Sequence, residues 1–374
     1  MLRIVALLFL LAGPAAAAGP EPGVFVFGGA RFTVVAPECV RIEYSTAGVF
    51  RDAPSAFARR RDARYLGYSV ELSTGRLVLD TGRLRLSYVP DGWPLSIANL
   101  KAEIRRGTET VAWVPERDPE PLLEGGSGVL TRMGWSLVDD SAGRGADWYL
   151  FAYGLDYKAG LRALAALKGP PPSPRDRPRG QGGRLEPYLL SAARQARDQG
   201  LPLRRPLYVE YPQQEEAYRH PREVFIGDSL LEVPAGQEPW LPEGPWFELS
   251  PASRLWVKGG VPIPMRAPGQ APQALVLRAY PGPEGVTGRT ALYEKDGVIE
   301  LSCLRQGDRT RVMAEPAAGS KARRAWVVEL GGPRAVRAAL DGKDLAAAYD
   351  AKARLSRVRV PARDGGWTLY LWQP

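Results

Sequence analysis

Seventeen residues limit what this chain can fold into. The run Lys168-Gly-Pro-Pro-Pro-Ser-Pro-Arg-Asp-Arg-Pro-Arg-Gly-Gln-Gly-Gly-Arg184 holds five prolines and four glycines. Proline has no amide N–H to donate, and glycine gives up the most backbone freedom when ordered, so neither helix nor central strand is favoured there. One βα unit takes about 30 residues, far more than this junction supplies. It separates a long strand-patterned arm from a single helix that leads into a second strand-rich arm.

Around the junction the chain is that of a folded protein. Its 374 residues suffice for two or three domains, and 45% hydrophobic content supports true cores. The 41 glycines and 35 prolines exceed the roughly 12% of an average chain and favour turns over long helices. The net charge of +9 comes from 50 basic against 41 acidic residues. Signs so intermixed indicate a solvated basic surface, and no zinc finger, glycine-rich phosphate loop or arginine-rich helix points to nucleic acid.

The first residues read as a secretory leader. Met1-Leu-Arg3 is followed by the apolar run Ile4–Leu11 and by small residues to Ala18, so 1–18 is expected to be removed and the mature chain to be secreted or periplasmic. A bilayer span needs about 20 apolar residues, and no second candidate follows. Cys39 and Cys303 lie in opposite arms and are expected as two buried or free thiols rather than a bridge.

Period-two alternation marks the strands. In the first arm these include Val24–Phe27, Cys39–Tyr44, Leu84–Tyr88, Trp135–Asp139 and Asp147–Ala152. Val40-Arg41-Ile42-Glu43-Tyr44 puts apolar side chains on one face and charged ones on the other, as in a half-exposed antiparallel strand. A helix is predicted over 156–167, with Asp156 as cap and Gly169 as stop, and a second over 185–199 with Leu185, Tyr188, Leu189, Ala192 and Ala196 on one face. Pro206–Tyr211 reads as a strand, and further strands run from Val224 to Trp372. The expected fold is mainly β: an N-terminal sandwich over 19–167, the junction 168–184, a short helical piece over 185–223, and two β-domains over 224–270 and 271–374.

The motifs carry a resemblance. In the first arm these are Val40–Tyr44, Asp52–Phe57, Leu84–Tyr88, Gly134–Ser141 and Asp147–Tyr157; in the second, Glu186–Pro212, Phe225–Pro234, Leu241–Phe247, Lys258–Pro264 and Leu292–Gly297. In this order they resemble glycoside hydrolase family 31, the α-glucosidase and α-xylosidase family, over nearly the whole mature length. The resemblance implies a mutarotase-like N-terminal sandwich, a TIM barrel, and proximal and distal β-domains. It also makes 185–223 the remnant of the barrel's closing end, and implies an α-linked oligosaccharide or polysaccharide as ligand. Retaining hydrolysis in that family needs two carboxylates about 5 Å apart. The Trp-x-Asp-Met-Asn-like motif of the nucleophile is missing, and a barrel takes about 250 residues.

Catalytic residues are therefore expected to be none, with no cofactor and no metal cluster. Asp139 and Asp140 are adjacent and would face opposite ways on a strand. Asp296 fits a turn, Glu210 has no role without a barrel, and His220, the single histidine, reads as a surface loop residue. Trp240, Trp246 and Trp256 suit packing better than sugar stacking. A non-catalytic carbohydrate-binding or assembly role is the alternative, and a protein partner docked on the helix 185–199 is a third. Whether the short junction belongs to a reduced paralogue, a decayed gene product or a sequence lacking an internal stretch stays open.

Overall fold

The computed structural model describes residues 21–115, 123–124, 128–143, 145–171, 183–250, 254–267, 275–295, 297–318 and 323–374. The expected leader 1–18, most of the junction and Asp296 lie outside them.

The first arm is a sandwich of two antiparallel sheets. One orders Val24–Phe27, Ala30–Ala36, Cys39–Tyr44, Ala146–Ala152 and Trp135–Asp139; the other is a meander of Ser69–Ser73, Arg76–Asp80, Leu84–Tyr88, Leu100–Arg106 and Glu109–Trp113. Alternation sets the inner faces, as where Leu100, Ala102 and Ile104 point inward while Lys101, Glu103 and Arg105 do not. Phe32, Val34, Val40, Ile42 and Leu150 meet Leu77, Leu79, Leu86 and Trp113 in the core between the sheets.

The first sheet is covered on its other face too. Cys39, Tyr149 and Phe151 enter a second core with helix α1 (Tyr157–Lys168). The expectation of a half-exposed Val40–Tyr44 strand is thus corrected: Arg41 and Glu43 are buried, at 3% and 2% exposure. Helix α1 forms as expected, with the Asp156 carboxylate accepting from the Ala159 amide at 3.0 Å and Gly169 ending it at φ 87°.

Beyond the junction, helix α2 (Glu186–Asp198) buries Tyr188, Leu189, Ala192 and Ala196, and Leu185 beside it is also buried. Its apolar face packs on strands of the proximal and distal sheets, including Ile226, Leu230, Val257, Ile263 and Val276. The face that suggested a partner protein is therefore occupied within the chain. Gly227, at φ 63°, lies so close that a Cβ there would stand 2.7 Å from the Tyr188 hydroxyl and 2.8 Å from the Ala192 methyl.

Pro206–Tyr211 is not the expected strand. Arg204–Pro206 is a three-residue strand, followed by helix α3 (Leu207–Glu210). The Tyr211 amide donates to the Leu207 carbonyl at 2.8 Å. Leu207, Tyr208 and Val209 are all buried, and a short apolar run buried on every side has no periodicity to separate strand from helix. Helix α4 (Glu215–Arg219) follows.

A five-stranded sheet then orders Arg204–Pro206, Val224–Ile226, Leu230–Glu232, Leu255–Lys258 and Trp246–Ser250. Phe225, Leu231 and Val233 face the core shared with α1 and α3; Ile226, Leu230 and Val257 face α2. The last segment is a sandwich of a five-stranded and a six-stranded sheet, packed through Leu277, Trp326, Val328, Leu301, Val312 and Leu369. Ile263–Arg266 belongs to it by pairing with Leu275–Ala279. Gly297–Gln306, not anticipated from the sequence, supplies one of its longest strands. All five sheets among the described residues are open, and none closes into a barrel.

Candidate functional site

The two flanks of the junction meet directly. Tyr157 of α1 lies edge-on to Tyr208 of α3, ring centroids 6.0 Å apart. The Tyr218 hydroxyl donates to the Pro212 carbonyl at 2.8 Å, so the Tyr157 hydroxyl, 2.8 Å from that of Tyr218, is the donor between the two. Leu161, Leu164 and Leu167 share one core with Leu201, Leu207 and Val209. Burial pushes the Tyr157 phenol up, reinforced by its hydrogen bond to Tyr218.

Beside this seam is a cleft of about 400 Å³ bordered by Asp156, Tyr157, Lys158 and Glu210. Its carboxylates are both taken. Glu210 pairs with Lys158 at 2.6 Å and with Arg205 at 2.6 Å; Asp156 pairs with Arg83 at 2.9 Å. Arg205, 1% exposed, also holds Asp228 at 2.6 Å and the carbonyls of Gly227 and Pro202 at 3.0 and 3.1 Å. Glu210 is thus a structural anchor for the loop after α3.

The adjacent aspartates part company. Asp140 pairs with Arg61 at 2.5 Å, whereas the exposed Asp139 accepts from the Ser141 amide at 2.9 Å. Arg61 also binds Asp147 at 2.8 Å, and Arg41 binds Asp147 at 2.7 Å and Glu43 at 2.8 Å. Burial works to raise the Asp147 carboxyl, but Arg41 and Arg61 outweigh it and hold the group below the usual aspartate range. The Arg51 carbonyl accepts from Arg41 at 2.6 Å and Arg61 at 3.0 Å, which ties the loop over 51–61 to the sheet.

His220 is a correction to the surface reading. It is half-buried, and its Nδ1 lies 2.9 Å from Glu223 Oε1. Glu223 is fully buried; Oε1 also accepts from the Trp240 amide at 3.0 Å, and Oε2 has no hydrogen bond. Burial raises the Glu223 carboxyl more than Trp240 and His220 lower it. Its partner is an imidazole, so it does not form the carboxylate pair that retaining hydrolysis requires. Trp240, Trp246 and Trp256 all pack against the core behind it.

A larger cavity, about 1190 Å³, opens between the proximal and distal sheets. Its floor is Glu329, 4% exposed. The Arg278 guanidinium donates to Glu329 Oε2 through Nη2 and, at 2.9 Å, through Nε. Arg357 donates to Oε1 at 2.9 Å, and Arg184 stands 3.6 Å away. Burial would raise the Glu329 carboxyl, but Arg278, Arg357 and Arg184 keep it low. No sequence pattern marked this cluster, whose members lie far apart in the chain.

Among the described residues no group of histidine, cysteine and carboxylates could hold a metal. Cys39 and Cys303 are both buried and free, in separate cores. No helix among the described residues is long and apolar enough to cross a membrane.

Residues 200–278 match the glycosyl hydrolase family 31 C-terminal domain. That stretch runs from the end of α2 through the proximal sheet into the first strands of the distal sandwich. Similar solved structures include a Flavobacterium johnsoniae GH31 dextranase complexed with glucose, 16% identical over 58% of this chain and 33% of that one, TM-score 0.45. The cycloalternan-forming enzyme from Listeria monocytogenes, in complex with a pentasaccharide substrate, is 19% identical over 58% and 23%, TM-score 0.44. A glucosidase II alpha subunit is 17% identical over 57% and 29%, TM-score 0.38. The chain spans a third or less of the length of these structures. No curated protein matches it.

Proposed function

We propose that this chain is a family 31-type protein that does not hydrolyse glycosides. The observation that carries this reading is the state of its carboxylates. Glu210, Asp156, Asp140, Asp147 and Glu329 are each tied to arginine or lysine, and Glu223, which burial raises, faces His220. Retention needs an ionised nucleophile opposite a protonated acid across an open cleft, and these five are held in ion pairs with cations instead. The 17 residues between Leu167 and Leu185 leave no room for the barrel that carries this chemistry in the resembled family. The leader reading adds export from the cytoplasm, checked by the intact mass of the secreted product, which is expected to begin near residue 19.

The test is incubation of purified full-length protein with aryl α-glucosides and aryl α-xylosides. No sugar release is expected. Release that disappears when one of the chain's own carboxylates is changed overturns the proposal.

A second reading, a non-catalytic saccharide-binding protein, is favoured by Trp93, which is 73% exposed at a loop of the first sandwich and offers a ring face for stacking. Calorimetry with α-glucan and xyloglucan fragments is expected to show millimolar binding that Trp93→Ala weakens. Absence of heat at millimolar sugar removes this reading.

A further inference from the structure

We infer that the cavity between the proximal and distal sheets is a binding site for a ligand bearing an oxyanion, a carboxylate or a phosphate. It goes beyond the proposed function, because it depends neither on family membership nor on the lost chemistry.

The charge count in the cavity does not close. Arg184, Arg278, Arg357, Arg359 and Lys352 line it, against Glu248, Glu329 and Asp350. Asp350 is bound to Arg357 at 3.1 Å. Glu329 serves both Arg278 and Arg357 with hydrogen bonds, which leaves Arg184 only a distant share at 3.6 Å. Arg184 Nε is buried without a hydrogen bond. A guanidinium carries five N–H donors in a fixed fork and stays charged, so one whose Nε has no acceptor and whose nearest carboxylate is shared with two other arginines favours an incoming anion. Burial, and then repulsion from Arg278, pulls the Arg184 pKa down, as expected of an under-compensated cation.

The shape supports a ligand larger than a bare ion. The cavity, of about 1190 Å³, lies somewhat above the roughly 300–1,000 Å³ of small-molecule sites, so it has room for more than a bare ion. Tyr280, Leu249, Val276 and Val327 supply apolar wall beside the charged floor. A rigid fork opposite an apolar wall suits a molecule with one anionic end over a neutral, purely polar one.

The test is calorimetry on the full-length protein at low salt with inorganic phosphate, glucuronate and glucose. Phosphate or glucuronate is expected to bind while glucose does not, and the stronger of the two identifies the source of the oxyanion. Arg184→Gln is expected to weaken binding at least tenfold. Glu329→Gln frees the guanidinia from their internal carboxylate and is expected to tighten it, a shift opposite in sign that loss of folding cannot mimic. No heat from either anion, or equal binding by wild type and Arg184→Gln, overturns the inference.

Discussion

The hydroxyl of Tyr157, on the helix before the junction, lies 2.8 Å from the hydroxyl of Tyr218, 61 residues later and on its far side. Tyr157 is buried, and its ring also packs on Tyr208. The two arms are thereby joined through side chains, whatever path the proline-rich segment takes between them.

That bond has a measurable coupling. In a double-mutant cycle of Tyr157→Phe and Tyr218→Phe, urea unfolding is expected to show an interaction energy of about 1 kcal/mol. Additive single effects would mean that the arms do not communicate through these hydroxyls.

Arg205 concentrates stability at one point. Arg205→Met leaves Glu210 and Asp228 without their shared guanidinium, and stability is expected to fall by about 3–5 kcal/mol because Glu210 is mostly buried beside Lys158. Lys158→Met, which removes the more exposed of the Glu210 partners, is expected to cost clearly less. Chemical denaturation of both variants decides the order.

Asp147 predicts acid sensitivity. Its carboxyl is held below the ordinary 3.8 in the folded protein, so the unfolded chain binds its proton first. The stability it contributes is complete above that value and is lost as pH falls through the lower folded pKa. Wild type is expected to exceed Asp147→Asn by about 3 kcal/mol at neutral pH, and the gap to shrink between pH 4 and pH 2. A gap constant over that interval would falsify the assignment of this carboxylate as the acid-labile group.

Glu223 predicts the opposite slope. Its carboxyl is raised above the ordinary 4.5, so the folded state binds the proton more tightly. Its contribution is fully present below 4.5 and is lost as pH rises through the folded pKa. Thermal unfolding is therefore expected to move in favour of Glu223→Gln, relative to wild type, between pH 4 and pH 8. A pH-independent difference would show that folding does not raise this carboxyl.

Much of this architecture was legible in the residues. Alternation located Cys39–Tyr44, Leu84–Tyr88 and Trp135–Asp139 at their observed bounds, and three- and four-residue spacing gave the buried face of α2 correctly. These signals are local: the pleat repeats every two residues and the helix every 3.6, so neighbouring side chains record them. The helix at Leu207–Glu210 escaped because a run buried on all sides carries no period.

The sequence by itself determined most of the strands, the buried faces of α1 and α2 and the interval too short for a barrel. Only the tertiary structure decided which charges lie inside. Arg41 pairs with Asp147, 106 residues away, and Arg278 with Glu329, 51 residues away. In sequence, Arg41 and Glu43 look like the solvent side of a strand. A second layer of α1 and the 51–61 loop turns that side into an interior, and buried charges are tolerated there only because distant partners arrive with the fold.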